Sequence, residues 1–303
     1  MQKIHPFLLA LLFAGTVVPA FALADADEPG DAERLKVAAI EALMSAPPHR
    51  ALPIVTRVLG SDESDEIKEK ALFVLSQIEL PEAQELLLEV ARSGSPGLRE
   101  EAVRMIGING DPAGLAALAE LFRAGDEDMR EAVLQAYLIA DDADGVLAIA
   151  EAATTADEFE SAVETLGAMN ASEQLRALRG SRGVSETLIE AYAIAGDTDS
   201  LRELALDGSN PQQQAEALHG LAVAGGSDAN EVFLQVYRGT QDEELKEAAL
   251  EAMLIADYDE GVLTLFQESQ DPKEKRELLE TLVNMDSDAV WDLIDATLED
   301  DDA

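Results

Sequence analysis

Three histidines, 62 carboxylates and no cysteine bound the chemistry open to this 303-residue chain. Acid–base or nucleophilic catalysis near neutral pH most often recruits an imidazole, and here only His5, His49 and His219 are on offer. His5 sits at the edge of an apolar leader, His49 follows Pro47-Pro48 in a turn, and His219 falls on a helical pattern, so no serine gains an obvious base with an orienting partner. The absence of cysteine excludes disulfides, thiolate metal sites and a thiol nucleophile. No Gly-x-Ser-x-Gly, phosphate-cradling glycine loop or dinucleotide fingerprint occurs. Carboxylate pairs are so abundant that none singles out a glycosidase dyad. The expectation is a protein that is not an enzyme and carries no cofactor.

Calcium is the metal to test first, because Asp257, Asp259, Gly261 and Glu268 imitate part of a calcium loop. Such a loop needs its glycine at the sixth position. Gly261 falls at the fifth counting from Asp257, and Gly145 does the same counting from Asp141. The pattern reads better as a helix stop followed by an N-cap, with loose, weak divalent binding left open. Acidic turns of this kind recur, and in a stacked array Asp111, Asp144, Asp199, Asp228, Asp259 and Asp288 are expected on one edge, each near a helix N-terminus. A basic protein, a polyamine or divalent cations could use that strip; solvated caps with no ligand are the competing reading. The opposite feature is a basic island of Arg176, Arg179 and Arg182, with no acid from Gln174 to Val184. It lies in what reads as the shortest repeat, Phe159 to Val184. These arginines could grip a carboxylate-bearing partner bidentately or neutralise acids within the fold.

The elements that must position these residues repeat. REAVLQAYLIADDADGVL from Arg130 returns as KEAALEAMLIADYDEGVL from Lys246, at an offset of 116 with 11 of the 18 positions identical. IKEKALFVLSQIELP from Ile67 pairs with LREEAVRMIGINGDP from Leu98 at an offset of 31. A period near 30 marks a stack of two-helix units. First helices carry small apolar residues at i, i+1, i+4 and i+5, as in Ala102, Val103, Ile106 and Gly107; second helices are leucine-rich, as in Leu115 to Phe122. Short acidic turns such as Asn109-Gly110-Asp111-Pro112 join the two, with glycine stopping one helix and aspartate or proline starting the next. About nine helical hairpins follow, starting near residues 34, 67, 98, 129, 158, 184, 213, 243 and 273. No alternating strand pattern is found, and the lone tryptophan, Trp291, is expected in the core of the last hairpin.

A charged pair, Ala-x-x-x-Leu-Gly, a Gly/Asp/Pro turn and a leucine-rich second helix together resemble HEAT repeats of the short bacterial type. The phrase KEKALFVLSQ, Lys68 to Gln77, looks like that of exported bacterial HEAT-repeat proteins. The resemblance spans roughly residues 34 to 300. It implies an all-α, curved α-solenoid with second helices on the concave side and a scaffold or binding role, and it implies no reaction. The HEAT-like deoxyhypusine hydroxylases build an iron site from His-Glu pairs, whereas the dipeptides here are His5-Pro6, His49-Arg50 and His219-Gly220.

Lys3, the uncharged stretch Pro6 to Val18, Pro19 and Ala22-Leu23-Ala24 have the layout of a signal peptide over residues 1–24, with Ala22 a competing cleavage point. Residues 25–33 read as a polar lead-in, 34–299 as the solenoid and 300–303 as an acidic tail. The apolar stretch is short for a membrane span, and none follows it. The expected location is periplasmic or secreted. A net charge of −41 argues against nucleic acid and anionic lipid as partners. It leaves a protein or peptide partner as the expectation, one with a basic surface included. An acidic, cation-responsive structural protein of the envelope is the first rival, and a HEAT-like lyase or enzyme subunit the second.

Overall fold

The structure, a computed structural model, describes residues 31–285 together with 290, 291, 293 and 294. The leader over 1–24, residues 25–30 of the lead-in, Asp288 and the tail 300–303 lie outside the described residues. Seventeen α-helices are found among the described residues, and no strand. They pair as α1 (Asp31–Ala42) with α2 (Pro48–Leu59), α3 (Asp65–Ser76) with α4 (Pro81–Ser93), α5 (Pro96–Asn109) with α6 (Pro112–Ala124), and α7 (Glu127–Ala140) with α8 (Ala143–Ala152). The series continues with α9 (Ala156–Ala168) and α10 (Ser172–Arg182), α11 (Glu186–Ile194) and α12 (Thr198–Leu206), and α13 (Pro211–Ala224) and α14 (Ser227–Gly239). It closes with α15 (Glu243–Ile255), α16 (Asp259–Glu268) and α17 (Pro272–Asn284). α1 takes Asp31 to Glu33 from the expected lead-in.

Local chemistry sets these boundaries. Proline occupies the first helical position of α2, α4, α5, α6, α13 and α17, where its missing N–H costs nothing. Side-chain caps start others: Asp126 accepts from Met129 N, Thr155 from Glu158 N and Ser185 from Leu188 N. First helices end where the chain turns left-handed, at Gly110 (φ 66°) and Gly196 (φ 67°), and also at Asp141 (φ 55°), Asn170 (φ 55°) and Asp257 (φ 52°). Asp and Asn tolerate that conformation better than other side chains with a Cβ.

Each helix makes its substantial contacts with helices no more than two places away in chain order. That is the contact pattern of a helical solenoid, in which every hairpin shelters the apolar side of the next. In α5 the buried stripe is Leu98, Ala102, Val103 and Ile106, and α7 continues it with Val133, Leu134 and Tyr137. Each fully buried leucine in this core contributes about 1.5–3 kcal/mol.

Two expectations need correction. The shortest step runs from the start of α11 at Glu186 to that of α13 at Pro211, with nine residues in each of α11 and α12, so the short unit follows Phe159–Val184. Trp291 is 62% exposed; its neighbour Val290 is the one turned into the core.

Candidate functional site

The acidic edge is built differently from the sequence expectation. Asp111 is a side-chain cap, accepting from Ala113 N at 3.1 Å and Gly114 N at 3.0 Å. In α8 and α12 the caps are instead Asp142 and Asp197, and Asp144 and Asp199 stand two residues further on, inside the first turn. The reason is the left-handed residue just before: Asp141 and Gly196 consume one turn position, and the next residue becomes the cap. Tyr258 takes the cap position of α16 and Gly226 that of α14, neither with a capping side chain, so Asp259 and Asp228 are also first-turn residues.

These carboxylates are laced into the stack. Asp144 accepts from Gln174 Nε2 at 2.9 Å, and Arg202 reaches both Asp199 and Asp228, each at 3.7 Å. The glycines that imitate a calcium loop have a packing reason. A Cβ on Gly145 would lie 2.2 Å from the Tyr137 ring, and one on Gly261 would lie 2.3 Å from the Tyr258 ring. No group of three or more His, Asp or Glu placed to hold a metal ion occurs among the described residues. His49 and His219 are both exposed, on α2 and α13.

The basic island is likewise engaged within the chain. Arg176 Nη2 donates to Asp197 Oδ1 at 2.5 Å and Arg176 Nε to Ser200 Oγ at 3.1 Å, while Ser200 Oγ donates to Asp197 Oδ2 at 2.8 Å. Burial of Asp197 by itself would raise its pKa; the bonds from Arg176 and Ser200 outweigh that and hold the carboxyl below its ordinary range. Arg179 pairs with Glu203 at 2.9 Å. Arg182 donates to the carbonyls of Glu151 and Ala153 at 2.6 and 2.9 Å, with its guanidinium 5.4 Å from the Phe159 ring centroid. The three arginines fasten α10 to α12 and to the end of α8, Arg176 and Arg179 through carboxylates and Arg182 through main-chain carbonyls.

The first helices carry a feature that single helices do not reveal. Where they cross closely, the contact is between small residues. A Cβ on Gly107 would lie 2.5 Å from Ala136 O, one on Gly167 would lie 3.3 Å from Ala191 Cα, and one on Gly220 would lie 3.4 Å from Ala193 Cβ. In α7 and α15 the position of Gly107 is taken by Leu138 and Leu254. There the next first helices, α9 and α17, make few contacts with α7 and α15.

Grooves of about 600 Å³ between α7 and α9 and about 630 Å³ between α15 and α17 lie at these two pairs. Leu134, Leu138 and Thr165 line the first; Leu250, Leu254 and Thr281 line the second. The cation of each is already engaged. Arg130 lies 3.7 Å from Glu158 with its guanidinium 6.0 Å from the Phe122 centroid, and Lys246 lies 3.1 Å from Glu274 with its ammonium 5.1 Å from the Tyr237 centroid. Thr154 N–H and hydroxyl together with Arg130 hold Glu158 below the ordinary carboxylate range; Ser269, Lys246 and Tyr237 do the same for Glu274.

The last turns of several first helices repeat an exposed aliphatic side chain. Ile108, Ile139, Ile194, Val223 and Ile255 each follow by two places a buried residue, Ile106, Tyr137, Tyr192, Leu221 and Met253, in the last turn of a first helix. Their exposures run from 41% to 61%.

A family profile described as HEAT repeats matches residues 58–138. No curated protein matches. Among solved structures, human deoxyhypusine hydroxylase in complex with glycerol is similar at 16% identity, covering 86% of this chain and 93% of that one, with a TM-score of 0.36. The CpcE–CpcF complex of phycocyanin lyase from Nostoc sp. is similar at 18% identity, covering 82% of this chain and 94% of that one, with a TM-score of 0.29. At these values neither likeness carries an argument about activity. No helix of the described residues is long and apolar enough to cross a membrane.

Proposed function

We propose that this helical-repeat chain is a non-catalytic scaffold that binds a protein or peptide partner along its first-helix surface. One observation carries the reading: an exposed Ile or Val recurs at the same register position in α5, α7, α11, α13 and α15. A single exposed aliphatic residue is ordinary on any protein; five at one register of the repeat, with Ala168 in the same place in α9, form a surface that water covers poorly. Covering each of them contributes about 1–2 kcal/mol, so moderate affinity follows from the sum and requires no single anchor. The net charge of −41 keeps such a surface from self-association and favours a partner with basic groups. The leader-like residues 1–24 support a place of action outside the cytoplasm, periplasmic or secreted.

The test is affinity capture from an envelope fraction with the wild-type chain and with Ile139→Asp/Ile194→Asp/Val223→Asp. Binding through this surface predicts a discrete partner recovered by the wild type and lost with the triple variant. Equal recovery by both would refute it.

A further inference from the structure

The α7/α9 and α15/α17 grooves are lined by matching residues. The offset of 116 that relates the duplicated phrase carries Arg130 onto Lys246, Leu134 onto Leu250, Leu138 onto Leu254 and Thr165 onto Thr281. It carries the ion pair as well, Glu158 onto Glu274, and the aromatic ring under the cation recurs as Phe122 and Tyr237. Even the threonines are set alike: Thr165 Oγ1 donates to Ser161 O at 2.7 Å, and Thr281 Oγ1 donates to Glu277 O at 3.0 Å. The intervening first helices keep the small-residue crossings of Gly167 and Gly220.

We infer that the α7/α9 and α15/α17 grooves are two equivalent docking sites, each taking a short amphipathic basic segment of a partner protein. The inference rests on the scaffold reading above and narrows it. The floor is apolar, Leu134 and Leu138 in one groove and Leu250 and Leu254 in the other. The walls carry Glu131 and Glu164 in one and Glu247 and Glu280 in the other. The lone cation of each groove is spent on its own ion pair, and Arg130 Nε is buried without a hydrogen-bond partner. Apolar floor between carboxylate walls is the complement of a segment that shows leucine-like side chains on one face and Lys or Arg beside them. Two such sites on one chain also allow avidity when a partner offers two segments.

The experiment is a calorimetric titration of the full chain, at about physiological salt, with a synthetic peptide of ~14 residues that places Leu at helical spacing among Lys. A second peptide replaces every Leu by Ser at the same charge. The inference gives two peptides bound per chain. Glu131→Lys/Glu164→Lys leaves one site, Glu247→Lys/Glu280→Lys leaves the other, and all four substitutions together weaken binding about tenfold or more. Circular dichroism confirms that each variant keeps its helix content, and Leu138→Asn, which adds no charge, closes the same site by a separate route. Equal binding of the Ser peptide, a stoichiometry unchanged in the pairwise variants, or no binding of the Leu/Lys peptide would overturn it. Ile194→Asp/Val223→Asp, away from both grooves, separates the two levels. Capture of the native partner that is lost there and intact in the groove variants keeps the scaffold and discards the grooves.

Discussion

Leu138 and Thr165 line the opening between α7 and α9 at the register where, one first-helix crossing earlier, Gly107 and Ala136 touch. At the two widely spaced pairs, α7/α9 and α15/α17, the place of Gly107 is held by Leu138 and Leu254.

Exchanging those sizes should have unequal costs. Gly107→Leu forces atoms into the Ala136 backbone, where even a Cβ would sit 2.5 Å from the carbonyl oxygen, and is expected to cost about 1–3 kcal/mol or more. Leu138→Ala removes a side chain on a residue 43% exposed, and is expected to cost about 1 kcal/mol or less. Urea unfolding midpoints of the two variants measure the difference.

Asp197 is expected to be the most costly aspartate to lose. It caps α12 through Ser200 N, and it accepts from Ser200 Oγ and Arg176 while buried. Asp197→Ala forfeits the cap, about 0.5–2 kcal/mol, and also strips two neighbours of their acceptor. Asp144→Ala and Asp228→Ala, on exposed first-turn carboxylates, should stay within about 0.5 kcal/mol.

The same carboxyl gives a pH signature. Its folded pKa lies below the ordinary 3.8, so its contribution is present in full above that value and is lost as the pH falls through the folded one. The stability gap between wild type and Asp197→Asn should therefore be widest near neutrality and shrink below about pH 4. A gap that is flat across the acid arm of chemical denaturation curves would contradict the assignment.

Calcium or magnesium should raise the melting temperature no more than sodium chloride at matched ionic strength, because the first-turn carboxylates already engage Gln174 and Arg202 and stand one to a repeat. A larger, saturable shift with calcium would favour the cation-responsive reading.

Much of the architecture was readable from the chain itself. The period near 30, the Pro and Asp starts and the Gly stops locate every first helix to within a few residues, because these signals act locally. The misses are places where conformation or a distant partner decides. Asp144 and Asp199 were expected on the edge as N-cap candidates, yet left-handed Asp141 and Gly196 move the caps to Asp142 and Asp197. For Arg176, Arg179 and Arg182 the sequence left two roles open, and the partners Asp197, Glu203 and the carbonyls at the end of α8 come from other helices. The grooves were hidden for the same reason, since Leu138 within one helix looks like any core leucine. The available signal was the contrast with Gly107 and Gly167 when repeats are laid over one another, together with the return of the same Leu at 254.

Whether a partner meets the first-helix surface is asked most directly by placing a photo-crosslinking residue at position 139 or 194, with position 49 on α2 as the control, and irradiating the chain in an envelope extract. The account predicts one discrete adduct from both 139 and 194 and none from 49. The same adduct pattern at all three positions, or none at any, would contradict it.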